Sequence, residues 1–195
     1  MVFTGYLIMV ITFFAAYILF NKLDKSECRW KKANRALIAV FVVTLLAAYG
    51  LSLNVQKISA VYIIGSVLLG YLTFCAFTDY TDKYIYAFPL PAICCIFAFI
   101  SKCSLQNIVL LVVFIAVLYI LCCLAGNMGK GDIYAISAAS ILLGNIEKVA
   151  ICLTVSLIIF VLYNLRYINW PMLKLDEGRA YVPAVLSGVI TALLL

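Results

Sequence analysis

Long apolar segments, separated by short polar stretches, occupy most of this sequence. A helix needs about 20 apolar residues to cross the hydrocarbon core of a bilayer, with a range of roughly 17–25. Eight segments approach or meet that length, of which the fourth and sixth are short: 2–20, 36–53, 59–77, 87–101, 107–126, 132–146, 148–166 and 180–195. The pattern predicts an all-α fold, a polytopic membrane helical bundle of about eight transmembrane helices, with six or seven as alternatives.

Composition agrees with a membrane protein of one domain. Of the 195 residues, 67% are hydrophobic and 11% are charged, whereas about a quarter of a soluble protein is charged. No linker or internal repeat divides the chain, so we expect a single domain over 1–195. Membrane lipid is the expected partner, and the net charge of +6 is read as setting topology rather than as binding nucleic acid.

Metal and cofactor sites are not expected. The chain has no histidine, and none of its eight cysteines forms a CxxC pair, which is the spacing that zinc sites favour. Most of the cysteines lie in apolar segments, where a free thiol behaves as a small hydrophobic group. The absence of histidine also excludes histidine-based catalytic triads.

Lysine and arginine predict the orientation of the bundle. Cytosolic loops of membrane proteins carry an excess of these residues, and the loop 21–35 holds six of them. If that loop is cytosolic and the spans alternate, eleven of the fourteen basic residues lie inside and only Lys57, Lys102 and Lys148 lie outside. Both termini are then outside. Asp79, after the third segment, and Asp132, at the start of the sixth, both fall at the cytosolic boundary.

Two aspartates at one boundary suggest aspartyl proteolysis. Two carboxylates that share a site can hold one proton between them, so one activates water while the other polarises a peptide carbonyl. Other interpretations stay open at this point. Asp132 suits a helix N-cap, and Asp79 suits a solvated loop acid paired with Lys83. Asp82 is read as a solvated loop residue, and Lys130 as a headgroup or topology charge.

The surroundings of both acids resemble the type IV prepilin peptidases, a family of membrane aspartyl proteases. The second acid lies in a GxGD motif formed by Gly129, Gly131 and Asp132, and the first, Asp79, is followed six residues later by Ile85. Tyr86 and Tyr134 stand where that family has proline and lysine. The last segment, YVPAVLSGVI, is similar to the proline-then-glycine pattern of the family's final helix.

The resemblance implies an activity and a set of roles. Asp79 and Asp132 would be catalytic, and Gly129, Gly131 and Ile85 would position the substrate. The substrate would be a prepilin-like or pseudopilin precursor, cut after a short basic leader at the cytosolic face of a prokaryotic plasma membrane. The resemblance covers 59–195, the peptidase core, and leaves 1–58 as an N-terminal helix pair with a basic cytosolic loop.

Related families refine this expectation. Archaeal preflagellin peptidases are similar in motif and size, whereas presenilin-like proteases place their first acid in a YD setting and this chain has Thr78 before Asp79. Bifunctional prepilin peptidases carry a cysteine-rich zinc insert, but the loop 21–35 holds only Cys28. We therefore expect peptidase activity without a recognisable methyltransferase module. A small transporter or channel, and a non-catalytic pilus or secretion assembly protein of the same fold, are the alternatives.

Overall fold

A computed structural model describes most of the chain. The described residues are 1–23, 33–55, 57–82, 84–101, 109, 112–113, 116, 120, 130–164, 168–169, 174–175 and 180–195. Most of the predicted fifth span, 107–126, lies outside them, as do Gly129, Lys83 and the centre of the basic loop 21–35.

Seven helices form within the described residues, and each overlaps one of the predicted apolar segments. In chain order they are α1 (Val2–Leu23), α2 (Ala33–Asn54), α3 (Ala60–Asp82), α4 (Pro89–Ile100), α5 (Lys130–Leu143), α6 (Ile146–Asn164) and α7 (Val182–Leu194). Between α6 and α7 the two-residue strands β1 (Ile168–Asn169) and β2 (Lys174–Leu175) pair antiparallel. Apart from this short strand pair, the all-α class is confirmed.

Four of these helices are long and apolar enough to cross a membrane, by length and composition. They contain the candidate spans Val2–Phe20, Leu37–Asn54, Ala60–Thr81 and Ile146–Tyr163. Helices α4, α5 and α7 have only 12, 14 and 13 residues. They extend roughly 18–21 Å at about 1.5 Å per residue, which is less than the thickness of a bilayer core. The described part thus supports a membrane protein, but the predicted count of about eight spans is not confirmed.

Helix α3 is the centre of the bundle, because α1, α2, α4, α5 and α7 all pack against it. Contacts at its two termini define two ends of the bundle. At the Asp79 end, the last turn of α3 meets Val182 at the start of α7. The opposite end is called the Asn54 end, after the last residue of α2. There Tyr62, near the start of α3, donates a hydrogen bond to the carbonyl of Met1.

The termini of the other helices also lie at one or other of these two ends. Asn54, at the end of α2, donates to the carbonyl of Leu193 in α7 and accepts from Lys148 in α6. Phe97 and Leu142, late in α4 and α5, both lie beside Gly65, early in α3. Helices α1, α3 and α6 therefore run in one direction, and α2, α4, α5 and α7 run in the other.

Aromatic rings join α1 to α3 toward the Asp79 end. The ring of Phe13 meets Phe74 and Phe77 edge-on, with centroids 6.1 and 5.5 Å apart. About two turns later, the ring of Phe20 lies 4.5 Å from that of Tyr86, between centroids, in the connection between α3 and α4. Such pairs stabilise beyond the area that they bury, so the first helix supports both α3 and the chain that follows it.

Glycine permits the close packing of α6 on α7. A Cβ atom added at Gly188 would overlap the carbonyl oxygen of Cys152 and the Oγ of Ser156. Small residues let helix backbones approach in this way. The short connection from α5 to α6 also needs a glycine, since Gly144 has φ +61°, which other residues rarely adopt.

Candidate active site

Asp79 lies inside α3 and is almost fully buried. The helix runs to Asp82, although the apolar segment was predicted to end at residue 77. The side chain of Asp79 is 5% exposed. The interpretation of Asp79 as a solvated loop acid is therefore wrong, because its helix continues past the last apolar residue and packs against α7.

The carboxylate of Asp79 caps the N-terminus of α7. Its Oδ2 accepts a hydrogen bond from the backbone N–H of Val182 at 2.9 Å, and the N–H of Tyr181 also interacts with the same group. Helix α7 has no cap from its own side chain at Tyr181, and a proline follows in its first turn. Since the first N–H groups of a helix have no partner within it, α3 supplies the acceptor that the local sequence of α7 lacks.

Ile85 and Gly131, one from each candidate motif, are in contact. A Cβ atom built on Gly131 would lie 2.7 Å from Cδ1 and 2.9 Å from Cβ of Ile85. Only glycine leaves room for Ile85 at this point. The contact places the start of α5 at the Asp79 end of the bundle. Gly129, the other glycine of the motif, lies outside the described residues.

Asp132 follows Gly131 in the first turn of α5 and is half-buried. The helix already includes Lys130, so Asp132 lies inside the first turn rather than preceding it as an N-cap. A carboxylate in that turn is still stabilised by the positive end of the helix dipole. Asp132 and Asp79 therefore share an end of the bundle, and each is associated with a helix N-terminus.

The connection between α3 and α4 is attached to α3 by Tyr71, a residue that the sequence analysis did not single out. The Tyr71 hydroxyl donates to the carbonyl of Tyr86 at 2.6 Å. The Tyr86 ring packs against the rings of Phe20 and Phe74. A signal was available, because a tyrosine in an apolar helix two turns before Asp79 needs a partner for its hydroxyl. The position of that partner depends on tertiary packing.

Buried serine and threonine hydroxyls in the described residues do not form a polar path through the bundle. Each donates to a carbonyl three or four residues earlier in its own helix; the residues are Thr44, Ser66, Thr73, Thr78, Ser140 and Ser156. Their hydrogen-bonding capacity is thus largely met locally. Within the same residues, no three histidine, cysteine or acidic side chains come together as metal ligands would.

Comparisons with protein-family models, curated proteins and solved structures found no match to this chain.

Proposed function

We propose that this chain is a membrane aspartyl endopeptidase that removes the short basic leader of prepilin-like or pseudopilin precursors. The observation that carries the proposal is the contact between Ile85 and Gly131. It joins the two motifs at the end of the bundle where Asp79 is buried. Burying an ionisable carboxylate in an apolar helix costs free energy, and acids buried in this way usually have a functional role.

Asp79 and Asp132 share the chemical step in this proposal. One carboxylate takes a proton from water while the other, protonated, donates to the carbonyl of the scissile peptide bond. The water oxygen adds to the carbonyl carbon, and the proton passes to the leaving amine as the bond breaks. Backbone donors at the start of α7 hold Asp79 in one orientation, so the enzyme does not have to order this side chain during the reaction.

The substrate proposed here has a short basic leader, a glycine before the cut and an apolar helix. Its helix would lie in the bilayer beside the bundle, and its leader would stay at the cytosolic face. The cut would then fall at the depth of Asp79 and Asp132. No metal or cofactor takes part in this chemistry.

Cleavage in membranes tests the proposal. The probe is a fusion of a lysine-rich leader ending in glycine, an apolar helix of about 20 residues and a soluble reporter. Wild type should remove the leader, whereas Asp79→Asn and Asp132→Asn should lose at least about a hundredfold in rate, as is usual when an acid–base group is removed. Glu147→Gln is the matched control, because Glu147 is an exposed acid in the first turn of α6 at the Asn54 end. Cleavage that survives either aspartate substitution would refute the two-aspartate mechanism.

One observation favours a second candidate, a non-catalytic assembly protein of the same fold. Asp79 has a structural duty as the cap of α7, which would by itself explain a buried acid. Asparagine keeps an oxygen that can accept from Val182, so Asp79→Asn separates the two roles. A folded variant that no longer cleaves the probe supports catalysis; cleavage by neither wild type nor variant, across a panel of precursors, supports the assembly protein.

A transporter or channel is less well supported. Such proteins place polar groups along a path near the midplane of the membrane. The buried serine and threonine hydroxyls of the described helices instead bond to the backbones of their own helices.

A further inference from the structure

The hydroxyl of Tyr71 fixes the backbone that connects α3 to α4. Tyr71 is 4% exposed, and its hydroxyl donates to the carbonyl of Tyr86 at 2.6 Å. This is a short distance for a hydrogen bond between two oxygens. Tyr71 lies on α3 two turns before Asp79. The bond therefore attaches the connection to the same helix that carries the first acid.

The same connection contacts the first turn of α5. Ile85 precedes Tyr86, and its side chain fills the space beside the Cα atom of Gly131. The next residue is Asp132. A chain of two contacts, linked through the backbone, therefore runs from α3 to the second acid. The Tyr71 hydroxyl meets the carbonyl of Tyr86, and the neighbouring Ile85 meets Gly131, which precedes Asp132.

We propose that Tyr71 is a positioning residue, which sets the placement of Asp132 relative to Asp79 through Tyr86 and Ile85. This inference rests on the proposed peptidase function. It assigns to Tyr71 no contact with substrate or with the reacting atoms. Misplacement of a catalytic group by about 1 Å can cost on the order of a hundredfold in rate, so loss of this one hydrogen bond should be visible in turnover.

The rival explanation is that ring packing alone holds the connection. The Tyr86 ring lies 4.5 Å from Phe20 and 6.0 Å from Phe74, between centroids. Removing the Tyr71 hydroxyl leaves those rings in place. Tyr71→Phe therefore tests the hydrogen bond separately from the packing.

Tyr62 provides a matched control on the same helix. It is fully buried, and its hydroxyl also donates to a backbone carbonyl, that of Met1, at 2.7 Å. It lies at the Asn54 end, away from both acids. Tyr62→Phe and Tyr71→Phe thus remove equivalent hydrogen bonds, and only one of them lies in the chain of contacts to Asp132.

The first experiment measures cleavage of the leader fusion by purified full-length protein in lipid nanodiscs. We expect Tyr71→Phe to lower kcat about tenfold while KM stays within about twofold, because the interaction acts on the transition state and not on substrate binding. Tyr62→Phe should keep both constants near wild type. A kcat for Tyr71→Phe equal to that of Tyr62→Phe overturns the inference, and so does a change confined to KM.

The second experiment does not depend on activity. Hydrogen–deuterium exchange on the same samples should become faster at residues 84–90 in Tyr71→Phe and stay unchanged there in Tyr62→Phe. If the wild type fails to cleave the probe, the proposed function is at fault, and exchange alone decides whether Tyr71 holds the connection. Unchanged exchange at 84–90 in Tyr71→Phe overturns the inference in either case.

Discussion

Asp79 and Val182 are joined by a hydrogen bond of 2.9 Å from the backbone N–H of Val182 to a carboxylate oxygen, although they are 103 positions apart in the sequence. The bond connects the end of one helix to the beginning of another inside an apolar bundle. Its structural and chemical consequences can be measured separately, because substitutions at residue 79 differ in whether they keep an acceptor.

Asp79→Ala should destabilise the protein more than Asp79→Asn. Alanine leaves the N–H of Val182 buried without its acceptor, which costs about 1–3 kcal/mol, whereas asparagine retains an oxygen and should cost less than about 1 kcal/mol. Unfolding by SDS titration in mixed micelles would measure both variants. Equal losses from the two would indicate that charge, and not the acceptor, supports α7.

Gly131→Ala should disturb the contact with Ile85. The new Cβ would lie 2.9 Å from the Cβ of Ile85, and overpacking of this kind costs about 1–3 kcal/mol. Ile85→Ala removes the nearest atom, Cδ1, but keeps Cβ, so the double variant should recover only part of the loss. A double-mutant cycle on unfolding free energies measures this coupling; additive losses would mean that the two residues do not press on each other.

Gly188→Ala should separate α6 from α7. Its Cβ would meet the backbone carbonyl of Cys152, which cannot move aside as the end of a flexible side chain can. We expect a loss of about 2 kcal/mol or more in unfolding free energy, within the range known for overpacked cores. Gly65→Ala is the control, because its Cβ would meet no atom closer than 3.4 Å. A similar loss at both positions would contradict the assignment of Gly188 to close helix packing.

Asn54→Ala should weaken the other end of the bundle without affecting cleavage. Asn54 donates to the carbonyls of Gly50 and Leu193 and accepts from Lys148 at 2.6 Å. Loss of these bonds should cost about 1–2 kcal/mol, since a hydrogen bond contributes about 1 kcal/mol net. Unfolding and cleavage would be measured on the same preparation. Slower cleavage at unchanged protein level would show that the two ends are coupled.

Helix positions were largely predictable from the sequence, because each described helix overlaps one predicted apolar segment. Helix ends were less predictable. The third segment was expected to stop at Phe77, yet α3 continues to Asp82. The length of an apolar segment reflects the thickness of the membrane core. The length of the helix instead depends on its backbone hydrogen bonds and tertiary contacts, which can extend beyond the apolar residues.

The contacts within the candidate site were not predictable. Motif resemblance singled out Ile85 and Gly131 separately, but only the packing of α5 against the connection between α3 and α4 shows that they touch. The acceptor for Val182 comes from a distant helix, and a missing local cap at Tyr181 does not reveal which residue replaces it. A tyrosine in an apolar helix indicates that its hydroxyl needs a partner, but the partner of Tyr71, the carbonyl of Tyr86, is set by tertiary packing.

The contacts between α1 and α3 bear on how small a working unit of this protein can be. The motif residues all lie within 59–195, yet Phe74, Phe77 and Tyr86 pack on rings that α1 contributes. A shortened chain that began after α2 would keep every candidate catalytic residue and expose those rings to lipid. The connection that carries Ile85 would then lose the ring of Phe20, against which Tyr86 packs. The first helix is part of the scaffold of the site, so function and stability would be lost together on truncation.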